Sequence, residues 1–116
     1  MELSMKTLFE RIIDGELDSE KVYEDDKIIA IKDKYPVAPI HLLIITKKVI
    51  PNLQAMEPED YPLMQEVVKV AQKLAKEFGV DKEGYRLLTN NGVNAGQVIY
   101  HLHFHLIGGA LLGKMG

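Results

Sequence analysis

The sequence predicts an α+β fold: a five-stranded, mostly antiparallel sheet carrying two helices, in one domain spanning residues 1–116. Three stretches carry that prediction. Leu42-Leu43-Ile44-Ile45 is apolar at every position, as in a central strand covered on both faces. Leu63, Val67, Val70, Ala71, Leu74, Ala75 and Phe78 recur at helical spacing. In His101-Leu102-His103-Phe104-His105-Leu106-Ile107 histidines alternate with apolar residues, and in a strand that alternation sends the imidazoles to one face and Leu102, Phe104 and Leu106 to the other.

The first element is a short helix through Asp14, with Ser4 as a cap, Leu8, Phe9, Ile12 and Ile13 at helical spacing and Gly15 as its stop. Two short strands follow, about Lys21–Glu24 and Ile28–Lys32, joined by a tight turn at Asp25-Asp26. Pro36 and Pro39 break the chain, because each biases its predecessor toward extended backbone and neither donates a ladder hydrogen bond. This loop delivers His41 to the apolar strand, Leu42–Thr46. Pro62 suits the first turn of the principal helix, which runs to about Phe78, and Gly79 stops it. Tyr85–Thr89 is a further strand, and the loop Asn90–Gly96 is rich in Gly and Asn, which tolerate positive φ and let backbone approach a ligand. The histidine strand is the fifth.

Composition narrows the chemistry. With 47% hydrophobic and 27% charged residues the chain reads as an ordinary globular domain. A net charge of −3 argues against a general nucleic-acid surface but leaves room for a small anion in a local pocket. The absence of cysteine excludes disulfides, thiol nucleophiles and thiolate-bound zinc. Neither a secretory signal nor a membrane span is legible, so the expectation is a cytoplasmic protein with no membrane partner.

Three readings of the histidine row compete. An idle solvent-facing row does not account for strict alternation beside a glycine-rich loop. A divalent metal held by the row and His41 is chemically sound, yet no acidic partner adjoins the row in sequence to support metal-bound imidazoles. The third reading is attack on a phosphate ester or phosphoramidate: a neutral imidazole forms a phospho-histidine, its neighbours supply hydrogen bonds and a proton, and water cleaves the intermediate. His103, flanked by His101 and His105, is the geometrical choice for nucleophile, with its tautomer set by an acceptor such as a backbone carbonyl.

The heptad His101–Ile107 resembles the signature of the histidine triad (HIT) family. Similarity to its Hint branch extends to Phe9, Ile12, Tyr23-Glu24-Asp25-Asp26, Asp33, Pro36-Val37-Ala38-Pro39-Ile40-His41, Gly84-Tyr85-Arg86, Asn90 and Gly96-Gln97. The resemblance implies a homodimer whose two sheets join. It also implies hydrolysis of purine nucleoside 5′-phosphoramidates or adenylyl conjugates, releasing AMP or GMP without a cofactor or required metal. By position, His103 is implied as the nucleotidylated residue, with His101 and His105 as phosphate ligands and orienting or proton-sharing groups and His41 in the same network. Asp33 is implied to bind ribose, Asn90 and Gln97 to contact phosphate, and Phe9, Ile12 and Ile31 to line the base pocket; from the residues alone, Asn90 and Gln97 read equally as turn residues and Phe9, Ile12 and Ile31 as plain core. Two features depart from the family: Val98 stands where a hydroxyl residue is common, and the tail after Gly109 lacks the tryptophan of animal Hint proteins. Alternatives are a dinucleoside polyphosphate hydrolase, or a purine-nucleotide-binding interaction module with weak catalysis.

Overall fold

The structure, a computed structural model, describes residues 6–114. Its elements are α1 (Leu8–Ile13), β1 (Lys21–Glu24), β2 (Ile28–Lys32), β3 (Ile40–Thr46), α2 (Pro62–Glu77), β4 (Tyr85–Leu88) and β5 (His103–Gly108), with short 3₁₀ turns in the connections. The strands form one sheet in the order β1-β2-β3-β5-β4, antiparallel at every pairing. The predicted α+β architecture is the observed one.

Alternation along the strands sorts the apolar residues into two layers. Ile28, Ala30, Leu42, Ile44 and Leu106 face α2, which buries Val67, Val70, Ala71, Leu74 and Ala75 against them. Ile29, Ile31, Leu43 and Ile45 face the other way and meet Phe9 and Ile12 of α1. The consecutive apolar residues of β3 thus serve two cores at once. Sixteen residues of α2 span about 24 Å and seal their face, whereas the six residues of α1 span about 9 Å and leave part of the other face open.

Several predicted boundaries move. The Ser4 cap lies outside the described residues; the side chain that caps α1 is Thr7, in a reciprocal capping box with Glu10. β3 starts two residues earlier than predicted, because Ile40 already pairs with Gly108. β4 ends at Leu88 and α2 at Glu77, one residue short in each case. The Asp25 turn is as expected, its carboxylate accepting from the Lys27 and Ile28 N–H groups and from the Tyr23 hydroxyl. The largest difference concerns His101, which lies ahead of β5 rather than within it.

Candidate active site

His103 and His105 project from β5 onto the open, α1-side face, opposite Ile45 and Leu43 of β3. The Nδ1–H of His103 donates to the His101 carbonyl at 2.7 Å. That bond holds the proton on Nδ1 and leaves Nε2 with its lone pair, the form a nucleophile needs. The His103 carbonyl in turn accepts from the Thr89 hydroxyl at 2.6 Å, fixing the strand behind the ring. Phe9 of α1 meets the imidazole edge-on with ring centroids 4.8 Å apart.

Next to it the His103 and His105 ring centroids lie 5.2 Å apart, and His105 Nδ1 lies 2.9 Å from His41 Nε2. The Val37 N–H donates to His41 Nδ1, so the single proton of neutral His41 sits on Nε2, between His105 Nδ1 at 2.9 Å and Asp33 Oδ2 at 3.4 Å. His105 therefore accepts at Nδ1 and keeps its own proton on Nε2. Proline-loop geometry thus sets the protonation of a ring on the strand paired with β3.

Burial pushes the pKa of His41, His101, His103 and His105 below the ordinary imidazole value, His105 to about 4 with further repulsion from His103 and His41. The row is neutral at pH 7. Asp33, His41 and His105 lie close enough to be weighed as metal ligands, their candidate ligand atoms all within 4.8 Å of one another. A metal on His41 Nε2 would require the proton to move to Nδ1, where it would confront the Val37 N–H. This donor set suits a shared proton better than a cation.

The expectation that His101 touches phosphate is corrected. Its side chain is wholly buried, Nε2–H donating to the Thr46 carbonyl at 2.6 Å and Nδ1 accepting from the Thr7 hydroxyl at 2.8 Å. Both ring nitrogens are taken, so His101 reaches the chemistry only through its carbonyl.

Gln97 is corrected in the same way. Its Oε1 accepts from Asn52 Nδ2 and the Gly92 N–H, and its Nε2 donates to the Pro51 and Ile99 carbonyls. With its amide so engaged, Gln97 braces the loop rather than presenting itself to phosphate. Gly92 and Gly96, at φ +90° and +82°, make the sharp turns of that loop. Asn90 is half-buried and follows Thr89, whose hydroxyl holds the His103 carbonyl, while Val98 is 86% exposed on the same loop.

Between α1 and the sheet lies a cleft of about 880 Å³, lined by Phe9, Ile12, Ile31 and Leu43 at its apolar floor and by Asp33 at one side. Phe9, Ile12 and Ile31 are core and pocket wall together, each nearly buried while facing the cleft. Asp33 keeps a half-buried carboxylate there, with Oδ1 taken by the Tyr35 N–H.

Thr7, Thr46, Asn52 and Thr89 were missed by the sequence reading. Thr7-Leu8-Phe9-Glu10 does spell a capping box and could have been read as one. The other three act through contacts distant in sequence, such as the 55-residue separation of His101 and Thr46, and no local pattern announces them.

The HIT domain profile matches residues 14–111. A HIT-like protein of Chlamydia muridarum is 52% identical over 112 residues, covering 97% of this chain and 88% of its own. The purine nucleoside phosphoramidase of Escherichia coli K12 is 39% identical over 113 residues, covering 97% of this chain and 95% of its own. Among solved structures, a HIT family hydrolase from Clostridium thermocellum superposes with a TM-score of 0.92 at 42% identity, covering 97% and 98% of the two chains. Fold, histidine geometry and these similarities agree, and the chain belongs to the HIT domain family.

Proposed function

We propose that the protein is a nucleotide hydrolase that cleaves purine nucleoside 5′-phosphoramidates or adenylyl conjugates and releases a nucleoside monophosphate. The observation that carries this reading is the bond from His103 Nδ1–H to the His101 carbonyl, which leaves Nε2 free to attack. In the first step Nε2 bonds to phosphorus, the phosphorus–nitrogen bond to the leaving amine breaks, and the amine departs with a proton. In the second, water attacks phosphorus, the nucleotidyl–Nε2 bond breaks, and the proton that water loses replaces the one the amine took, so that AMP or GMP leaves with His103 restored. His105 offers its Nε2–H to the phosphoryl oxygens, and the Asp33–His41–His105 contacts orient that ring and share its proton. The purine lies against Phe9, Ile12 and Ile31, the ribose hydroxyls reach Asp33, and Asn90 contacts phosphate. The kinship with the E. coli phosphoramidase supports the substrate class.

Incubation with adenosine 5′-phosphoramidate is expected to release AMP in chelator, and His103→Ala to lower kcat by about 10⁴-fold or more. Full activity in His103→Ala would overturn the assignment. Denatured wild-type enzyme quenched during turnover should carry one nucleotide on His103 by mass.

The exposed Val98, in place of a hydroxyl, favours a second reading, a nucleotide-binding module with weak catalysis. Tight AMP binding without turnover of phosphoramidates or diadenosine polyphosphates would select it.

A further inference from the structure

We propose that Thr7 is a positioning residue that joins the wall of the nucleotide cleft to the nucleophile through His101. One hydroxyl serves two structures. Thr7 Oγ1 accepts the Glu10 N–H at 3.0 Å, which caps α1 and so holds Phe9 and Ile12 in the cleft wall. The same oxygen has one hydrogen to give, and His101 Nδ1 lies 2.8 Å away to receive it.

The direction of that bond is determined by the far side of the ring. His101 Nε2 faces the Thr46 carbonyl at 2.6 Å, an acceptor, so the ring proton belongs on Nε2 and Nδ1 must accept. A wholly buried imidazole pinned at both nitrogens cannot rotate. Its carbonyl is the acceptor that orients His103, which makes the sequence Glu10 N–H, Thr7 hydroxyl, His101 ring, His101 carbonyl, His103 ring continuous from helix to nucleophile. Phe9 closes the loop from the other side, edge-on to both His101 and His103 at 5.9 and 4.8 Å between centroids. A purine pressing on Phe9 and Ile12 therefore loads the same short helix whose cap residue donates to His101.

The kinetic part of this proposal rests on the hydrolase reading above, whereas the protonation of His101 does not. Three substitutions separate the cap from the donor. Thr7→Ser keeps both; Thr7→Asp keeps the cap, since a carboxylate accepts the Glu10 N–H, but has no hydrogen for His101; Thr7→Val loses both.

Nitrogen-15 histidine spectra of the wild type and Thr7→Ser are expected to show His101 neutral with its proton on Nε2. In Thr7→Asp both ring nitrogens should be protonated at pH 7, with a melting temperature close to that of Thr7→Ser. On adenosine phosphoramidate, Thr7→Ser should stay within about twofold of wild type in kcat, while Thr7→Asp and Thr7→Val each fall about tenfold or more. An unchanged His101 spectrum in Thr7→Asp, or kcat losses that follow melting temperature alone across the three variants, would reduce Thr7 to a helix cap and overturn the proposal. Should Thr7→Asp not fold, unchanged kcat in Thr7→Val overturns it equally. If the wild type hydrolyses no phosphoramidate, the hydrolase reading fails and the spectra still decide the role of Thr7.

Discussion

His105 stands between His41 and His103, and that crowding sets how the protein responds to acid. Burial first, then the two neighbouring imidazoles, lowers its pKa to about 4, and His41, His101 and His103 move in the same direction. Below the unfolded value near 6.5 the unfolded chain takes up protons that the folded protein refuses, so stability is lost as the pH is lowered. It is therefore expected to be level above about pH 6.5 and to decline from there toward about pH 4, His105 alone contributing on the order of 1–3 kcal/mol. Calorimetry across this range checks the sign, and His105→Asn should flatten the slope; a melting temperature independent of pH would contradict it. The identity of these histidines was legible in the sequence because alternation is a property of a strand. That His101 steps out of the row was not, because the burial of its ring depends on Thr46 and Thr7, 55 and 94 residues away.

At the scale of elements, the short helix α1 and the loop between β4 and β5 place the site. Shortness in α1 matters as much as its apolar face, since a longer helix would fill the cleft that Phe9 and Ile12 line. Phe9→Leu keeps bulk but loses the edge-on contact with His103, and is expected to cost about 1 kcal/mol of stability with a several-fold loss in kcat/KM. Steady-state kinetics beside a melting curve checks whether activity falls by more than stability alone explains. The loop depends on Gln97, whose amide joins Pro51, Asn52, Gly92 and Ile99. Gln97→Ala removes four hydrogen bonds at a nearly buried position and should destabilise by roughly 2–4 kcal/mol, measured by denaturant titration. Family position suggested phosphate for this residue; its amide orientation is set by Pro51 and Asn52, which no local pattern links to it. By contrast, the periodicity of α2 and the apolar run of β3 are intrinsic to their own stretches, and both appear where the sequence puts them, within two residues.

For the whole molecule, the order β1-β2-β3-β5-β4 leaves two edges, and they are not alike. β1 is bulged between Lys21 and Tyr23 and carries the charges of Lys21 and Glu24, features that discourage further pairing. β4 is regular against β5, half-buried at all four positions and charged only at Arg86. We propose that β4 is where two copies join their sheets, as the family resemblance implies. A strand paired on one side leaves alternate amides of Tyr85–Leu88 open to water, whereas one paired on both sides protects them all. Sedimentation at micromolar concentration is expected to give the mass of two chains, and hydrogen exchange should slow at every amide of β4, with the protection lost on dilution to the monomer. A single-chain mass together with rapid exchange at alternate β4 amides would place the edge in solvent and remove the joined sheet.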